Sequence, residues 1–203
     1  SKELSPLIYW PPMEEIKKSF PACFAKWPKL RAIIDCVEIL IERPPCKTDN
    51  GKFFSAYTSN SANKFFMSVT PGGIISYISP PAEGHMTDKE IILQTNVIDK
   101  FNVGDQCLAN IGLQVESEFI EAGVQLISLP IREQGLQIPR ETNKHDQDTT
   151  HARVHMERII GRLRDFQIMK GPIPASICDI IEAVVTVCCA LTNLKQSLVP
   201  QSC

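Results

Sequence analysis

The segment RAIIDCVEILIERPP, residues 31–45, constrains the fold more than any other stretch of the chain. Read as a strand, it sets Ile33, Asp35, Val37, Ile39 and Ile41 on one face, because side chains alternate along extended backbone. Four of the five are branched aliphatics and the fifth is a carboxylate. A strand with such a face belongs at the centre of a sheet. An ionised group on that face must be paired, hydrogen-bonded or bound to a metal. Asp35 is therefore the first candidate functional residue. The plainer alternative is a buried acid held by N–H groups or an arginine.

The rest of the chain supplies partners for this strand. MEEIKKSF after Pro11 and Pro12 reads as a helix that Pro21 ends. NKFFMSVT, TPGG and IISYIS read as strand, tight turn and strand, with Gly72 and Gly73 supplying the turn. Thr87 or Asp88 can cap a helix over TDKEIILQTNVIDKF. DQCLANIGL is a fourth strand and ESEFIEAG a helix closed by Gly123. VQLISLP is a fifth strand, and residues 132–144 are a polar surface excursion. Two helices follow, DTTHARVHMERIIGRLRDFQIM and a last one from about Ser176 to Leu194. The order predicts an α/β fold: a mixed five-stranded sheet, three antiparallel strands then β-α-β crossovers, with helices on both faces. The ribonuclease H-like fold has this order, and a few other α/β folds accommodate it.

The 203 residues suffice for one sizeable core. A net charge of −2 argues against a strongly basic nucleic-acid binder, although Arg153, Arg158, Arg162, Arg164 and Lys170 fall close together. No CxxC or zinc-ligand spacing occurs among the eight cysteines, so a disulfide framework is not expected and the reduced interior of a cell is the simplest compartment. No apolar run approaches the roughly 18 residues of a membrane span, and no membrane partner is expected. The N-terminus has no apolar stretch that marks secretion, and without an initiator Met the chain reads as a fragment of a longer one.

Asp35 acquires a chemical role if other acids join it. Two-metal nucleases gather carboxylates around paired Mg²⁺ ions that orient a phosphodiester. In a ribonuclease H-like sheet the first and fourth strands lie side by side, and an acid from a late helix converges on them. Glu157 is such an acid; its alternative is a solvated position paired to Arg153 or Arg158. The arginines Arg153, Arg158, Arg162 and Arg164 either contact phosphates or form an exposed, balanced helix face. His145, His151 and His155 share no face and read as solvated helix positions, His85 as a loop residue, and Trp10 and Trp27 as packing residues.

IIDCVEILIERP, NKFFMSVTPGGIISYISPPAEGHMTDKEI, VGDQCLANIGL and HARVHMERIIGRLRDFQIMKGPIP resemble, in order, the DDE superfamily endonuclease domain of eukaryotic transposases, most of all its Harbinger-like and THAP-associated group. The likeness runs from about Trp10 to Leu194. It implies a ribonuclease H-like nuclease core with Asp, Asp and Glu as ligands of Mg²⁺ or Mn²⁺, a DNA substrate, a nuclear location, and a protein partner or an upstream DNA-binding domain. By the family's motifs, the first aspartate is Asp35 and the glutamate is Glu157. The middle one, in A-D-R-G-F, falls on Asn110 within Ala109, Asn110, Ile111, Gly112 and Leu113. An upstream lysine and histidine correspond to Thr58 and Asn60, while Asp88 and Asp105 are retained.

An amide offers one carbonyl oxygen and no charge, so Asn110 implies weak metal occupancy and impaired catalysis. Asp105 or Asp88 is a substitute acid only if it moves in; Asp105, an odd number of residues from Asn110, needs a bulge to do so. Three readings follow: a transposase-derived endonuclease domain with impaired cleavage, an active metal-dependent endonuclease with a substitute acid, and a non-catalytic DNA- or protein-interaction module. Residues 1–28 form an N-terminal helical segment packing on the core, 29–195 the nuclease-type domain, and 196–203 a tail. Nothing in the pattern sets an oligomeric state.

Overall fold

The computed structural model describes residues 3–42, 53–56, 58–110, 113–129 and 143–195. Its centre is β1 (Leu30–Leu40), which pairs antiparallel with β3 (Asn60–Val69) at every position from Ile33 to Leu40. On its other side β1 runs parallel to β6 (Gln106–Asn110), and β6 runs parallel to β7 (Gln125–Leu129). β3 carries β4 (Ile75–Ile78) antiparallel on its outer edge. These are the five expected strands. Two further pairs of residues, β2 (Phe54–Ser55) and β5 (Ala82–Glu83), also dock on β3 and make the mixed sheet seven-stranded. They are too short to carry an alternation that a sequence could reveal.

The β3–β4 turn follows from TPGG. Gly73 N–H donates to Thr70 O at 2.9 Å, and Gly73 alone in this turn takes a positive φ, +88°. Position 73 thus needs glycine for its backbone, and position 72 for space, because a Cβ there would lie 2.7 Å from Ser19 Oγ and 3.3 Å from Ser19 O.

Helices cover both faces. α4 (Asn143–Arg164) and α5 (Ile181–Asn193) bring Met156, Ile159, Leu163, Ile181 and Val185 against Ile33, Val37, Phe65, Met67 and Leu108. Asp35 has the parity of this face. On the other side α2 (Asp88–Gln94) and α3 (Glu116–Glu121) bring Ile91, Ile92 and Phe119 against Ala32, Ile34 and Phe66. The N-terminal α1 (Met13–Lys18) buries Ile16, and Phe24 and Trp27 enter the first core. Asn193 ties α5 down, accepting from Ile75 N–H at 2.8 Å and donating to Ile75 O and Leu7 O at 2.9 Å.

Several expectations change. The helix after Thr87 stops at Gln94, because Asn96 adopts a left-handed φ of +50° and only a short 3₁₀ turn, Ile98–Lys100, follows. Thr87 provides the cap, through a reciprocal box with Glu90. α4 begins at Asn143 and ends at Arg164 rather than spanning 148–169. The polar excursion at 132–144 falls outside the described residues up to 142. The run Ala175–Asn193 is long and apolar enough to cross a membrane after all. Its apolarity is accounted for in part by Ile181, Val185, Cys188 and Cys189, which are buried in the first core.

His155 is the clearest correction. It is buried, with its ring edge-on to Phe24 at 5.7 Å and a hydrogen bond to the Pro71 carbonyl. The apolar neighbours of α4, unseen at the level of helix spacing, put it in the core. Burial, aided by the Arg158 charge, lowers its pKa from 6.5 to about 4, against the opposing pull of the Pro71 carbonyl. The unfolded chain protonates this ring near pH 6.5 and the folded chain near 4, so its contribution is complete above 6.5 and is lost as pH falls to 4. The loss amounts to roughly 3 kcal/mol. Chemical denaturation of the wild type and His155→Gln at pH 7 and pH 4.5 checks this: the variant loses less stability across the interval.

Candidate functional site

β1 is paired differently along its two edges. Toward β6 its parallel register ends at Ile34↔Ala109. Among the described residues the next neighbour on that edge is Ile173, bridged to Ile41, with Ile173 N–H donating to Leu40 O at 2.8 Å. Between these points, residues 35–39 line a cleft of about 1060 Å³. Asp35, Thr58, Asn60, Lys64, Asp88, Arg164 and Lys170 contribute to its walls. Asn110 ends β6 one register step beyond Ala109, level with Asp35. A cleft at the carboxyl end of a parallel strand, where the sheet changes direction of pairing, is where ligands enter open α/β sheets.

Asp35 is half-buried, and one of its carboxylate oxygens accepts from Cys36 N–H at 2.9 Å. On the other face of β1, Glu38 stands opposite Lys64 of β3. The Lys64 ammonium lies 3.7 Å from Glu38 and 3.3 Å from Asp88, and donates to Met86 O at 3.0 Å. Glu38 also accepts from Ser55 Oγ at 2.6 Å. Burial first, then the charges of Asp88 and Asp35, push the Cys36 thiol far up, with Lys64 pulling the other way. Cys36 stays a neutral donor to Asp88. The Glu38 Oε2 and Thr58 Oγ1 atoms are buried without a partner.

The remaining candidates divide by position. Glu157 is exposed on α4 and takes no part in the ion pairs among the described residues, so the expected pairing with Arg158 is not formed. It lies three and seven residues before Ile160 and Arg164, both of which line the cleft, so all three share one helix stripe. Arg158 and Arg162 lie off that stripe, and the side chain of Arg153 falls outside the described residues, as do those of Asn110, His145 and His151. Asp105 sits before the start of β6, roughly 16 Å along the strand from Asn110. There its carboxylate accepts from Asn102 N–H at 2.9 Å and faces Arg31 at 3.9 Å. Arg31 is the extra residue where the β1–β6 register shifts, and its guanidinium lies 5.6 Å over Trp10. The bulge that could have re-aimed an acid is thus on β1, and it serves packing.

Sequence reading missed Glu38 and Lys64, since their pairing depends on register. The chain after α4, with Met169, Lys170 and Gly171, also closes one side of the cleft. KGPIP, whose Gly and two Pro mark a loop, was its available signal.

Among the described residues no group of three or more His, Cys, Asp and Glu side chains is placed to hold a metal ion. Of the acids around the cleft, Glu38 and Asp88 already share the cation of Lys64. Breaking a largely buried cluster by removing one partner is expensive because it strands the opposite charge. Lys64→Met is expected to destabilise the fold by about 3 kcal/mol, and Glu38→Gln added to it to recover part of that loss. Urea titration of the wild type, the single and the double variant measures both.

Residues 34–193 match the family described as DDE superfamily endonuclease. No curated protein matches the chain. The matched span takes in β1 from Ile34, the cleft, α4 and α5. The chain belongs to the DDE superfamily endonucleases, domains that take DNA as substrate and generally use divalent metal ions.

Proposed function

We propose that this chain is a transposase-derived endonuclease domain of the Harbinger-like and THAP-associated group, with a ribonuclease H-like fold, whose phosphodiester cleavage is impaired and whose retained activity is DNA binding in the nucleus. The observation that carries this reading is the position of Asn110, level with Asp35 at the open edge of β1. Asp35, Asn110 and Glu157 are the catalytic set of the reading, reduced from three acids to two. The divalent metals of the family would supply Lewis-acid and nucleophile activation; two carboxylates on separate elements hold them poorly.

What the chain's own residues do is bind and position. Arg164 and Lys170 are exposed at the cleft and present cations to backbone phosphates. Thr58 and Asn60 line the same wall with neutral groups where the family has a lysine and a histidine, which lowers the positive charge next to the reacting phosphate. Asp35 repels a phosphate that comes too deep, and so keeps the strand at the mouth.

A second reading, an active endonuclease with a substitute acid, rests on Asp88, which lines the cleft with Asp35. Asp105, at the far end of β6, is the weaker substitute. Because Asp88 is already bonded to Lys64 and Cys36, the impaired reading is preferred.

Calorimetric titration of Mn²⁺ into the wild type and Asn110→Asp, followed by nicking of supercoiled plasmid, separates the two. Only the variant is expected to bind and nick, with the wild type at least about tenfold weaker in affinity. Equal binding, with wild-type nicking abolished in Asp88→Asn, would establish the second reading. Failure of both proteins to bind would overturn the assignment of ligands. Independently, Arg164→Ala/Lys170→Ala is expected to weaken duplex DNA binding and to reduce the slope of log affinity against log salt by about 2. Fluorescence anisotropy over a salt series checks it.

A further inference from the structure

α5 carries an apolar stripe that the fold does not use up. Val184, Val187, Leu191 and Leu194 follow at intervals of three, four and three, and Ile180 at the N-cap continues the series backwards by four. This is the 4-3 spacing that sets side chains along one seam of a helix pair. Ile180 is 53% exposed and Leu194 63% exposed, with Leu191 exposed between them and Val184 and Val187 half-buried. The helix beneath is fixed, since Ile181, Val185, Cys188 and Cys189 are in the core and Asn193 is bonded to β4. A rigid helix that shows several adjacent apolar side chains presents a surface for association.

The spacing is also self-complementary. Turned antiparallel about Val187, the stripe sets Ile180 against Leu194 of an identical helix and brings Val184 and Leu191 to within one residue of the same level. The charges agree with that direction. The N-terminal end bears exposed Asp179 and Glu182, and the C-terminal end bears exposed Lys195. Antiparallel order brings the acidic end of one helix to the basic end of the other and opposes the two helix dipoles, whereas parallel order brings like to like. Lys195 is only loosely engaged within the chain, at 4.0 Å from Asp165 and 3.4 Å from Arg162 O, with its ammonium over Phe166.

We propose that two copies of this chain associate through α5 in an antiparallel, two-fold arrangement centred on Val187, an isologous contact in which each partner offers the same stripe. The proposal rests on α5 alone and does not depend on the nuclease reading.

Sedimentation velocity of the whole chain over a concentration series is the test. The 22.7 kDa chain is expected to approach twice that mass at submillimolar protein. Ile180→Lys and Leu194→Lys alter exposed positions and are expected to weaken association about tenfold or more, with circular dichroism and thermal unfolding unchanged. Asp179→Lys and Lys195→Asp are each expected to weaken it, and their combination to restore it, because the exchange recreates opposite charges at both ends. A chain that stays monomeric at every concentration overturns the proposal. So does association that survives Leu194→Lys, or a charge exchange that fails to restore it. Co-sedimentation of a monomeric chain with phospholipid vesicles, lost in Leu194→Lys, would give the stripe to a membrane surface and equally overturn it.

Discussion

β1 satisfies two unequal neighbours, and the candidate site exists because they are unequal. β3 matches it to Leu40, while among the described residues β6 goes no further than Asn110. A central strand left unpaired on one edge must either be covered or face solvent, since its backbone groups need partners. Here Ile173 closes the far end, and the gap between becomes the cleft. Asp35 stands where pairing toward β6 stops. The apolar residues on either side of it, Ile33 and Val37, are packed under α4 and α5 and hold that stretch of strand rigid. The strand that nucleates the core and the strand that carries the acid are one object.

The electrostatics of the cleft follow from the β1–β3 register. Because Glu38 faces Lys64, a cation is brought to within reach of Asp88 on α2, and the two acids share that one cation in a clamp between β1, β3 and α2. Its location on the face opposite Asp35 matters. The acids around the cleft do not act as one pool: Glu38 and Asp88 are spoken for by Lys64, while Asp35 has the parity of the opposite face of β1. Counting carboxylates near the cleft therefore overstates what a divalent ion would find there.

What could be read from the residues divides along the same physical line. Alternation made β1 and Asp35 legible, and the order of turns and apolar runs gave the five strands and the crossovers, because these signals are local. The ends of helices were less so. Asn96 adopts a left-handed backbone that its neighbours do not demand, and it cut a helix short. His155 looked solvated on a helical wheel, but Phe24 and the Pro71 carbonyl, far away in the chain, enclose it. Glu38 and Lys64 escaped for a similar reason: a cross-strand pair exists only once register is known. Asp105 was recognisable as an acid near the motif, yet its distance from Asn110 along β6 puts it out of reach of the cleft, whichever face it takes.

On the impaired reading proposed above, Asn110 is a change in chemistry that leaves the shape of the core alone. The position is the last of β6 and is still matched to Leu129 of β7, so its backbone role continues unchanged by the side chain. An aspartate there would add a second negative charge level with Asp35. Such neighbours repel, and one of them ionises with difficulty unless a cation is bound between them. Replacing that acid with an amide of the same size removes the repulsion along with the ligand. Under that reading the substitution removes a repulsion that only a bound cation would offset, and the apolar strand beneath is independent of it. Ile33, Val37, Phe65 and Leu108 pack in one face without any contribution from position 110, so the sheet does not depend on which side chain stands there.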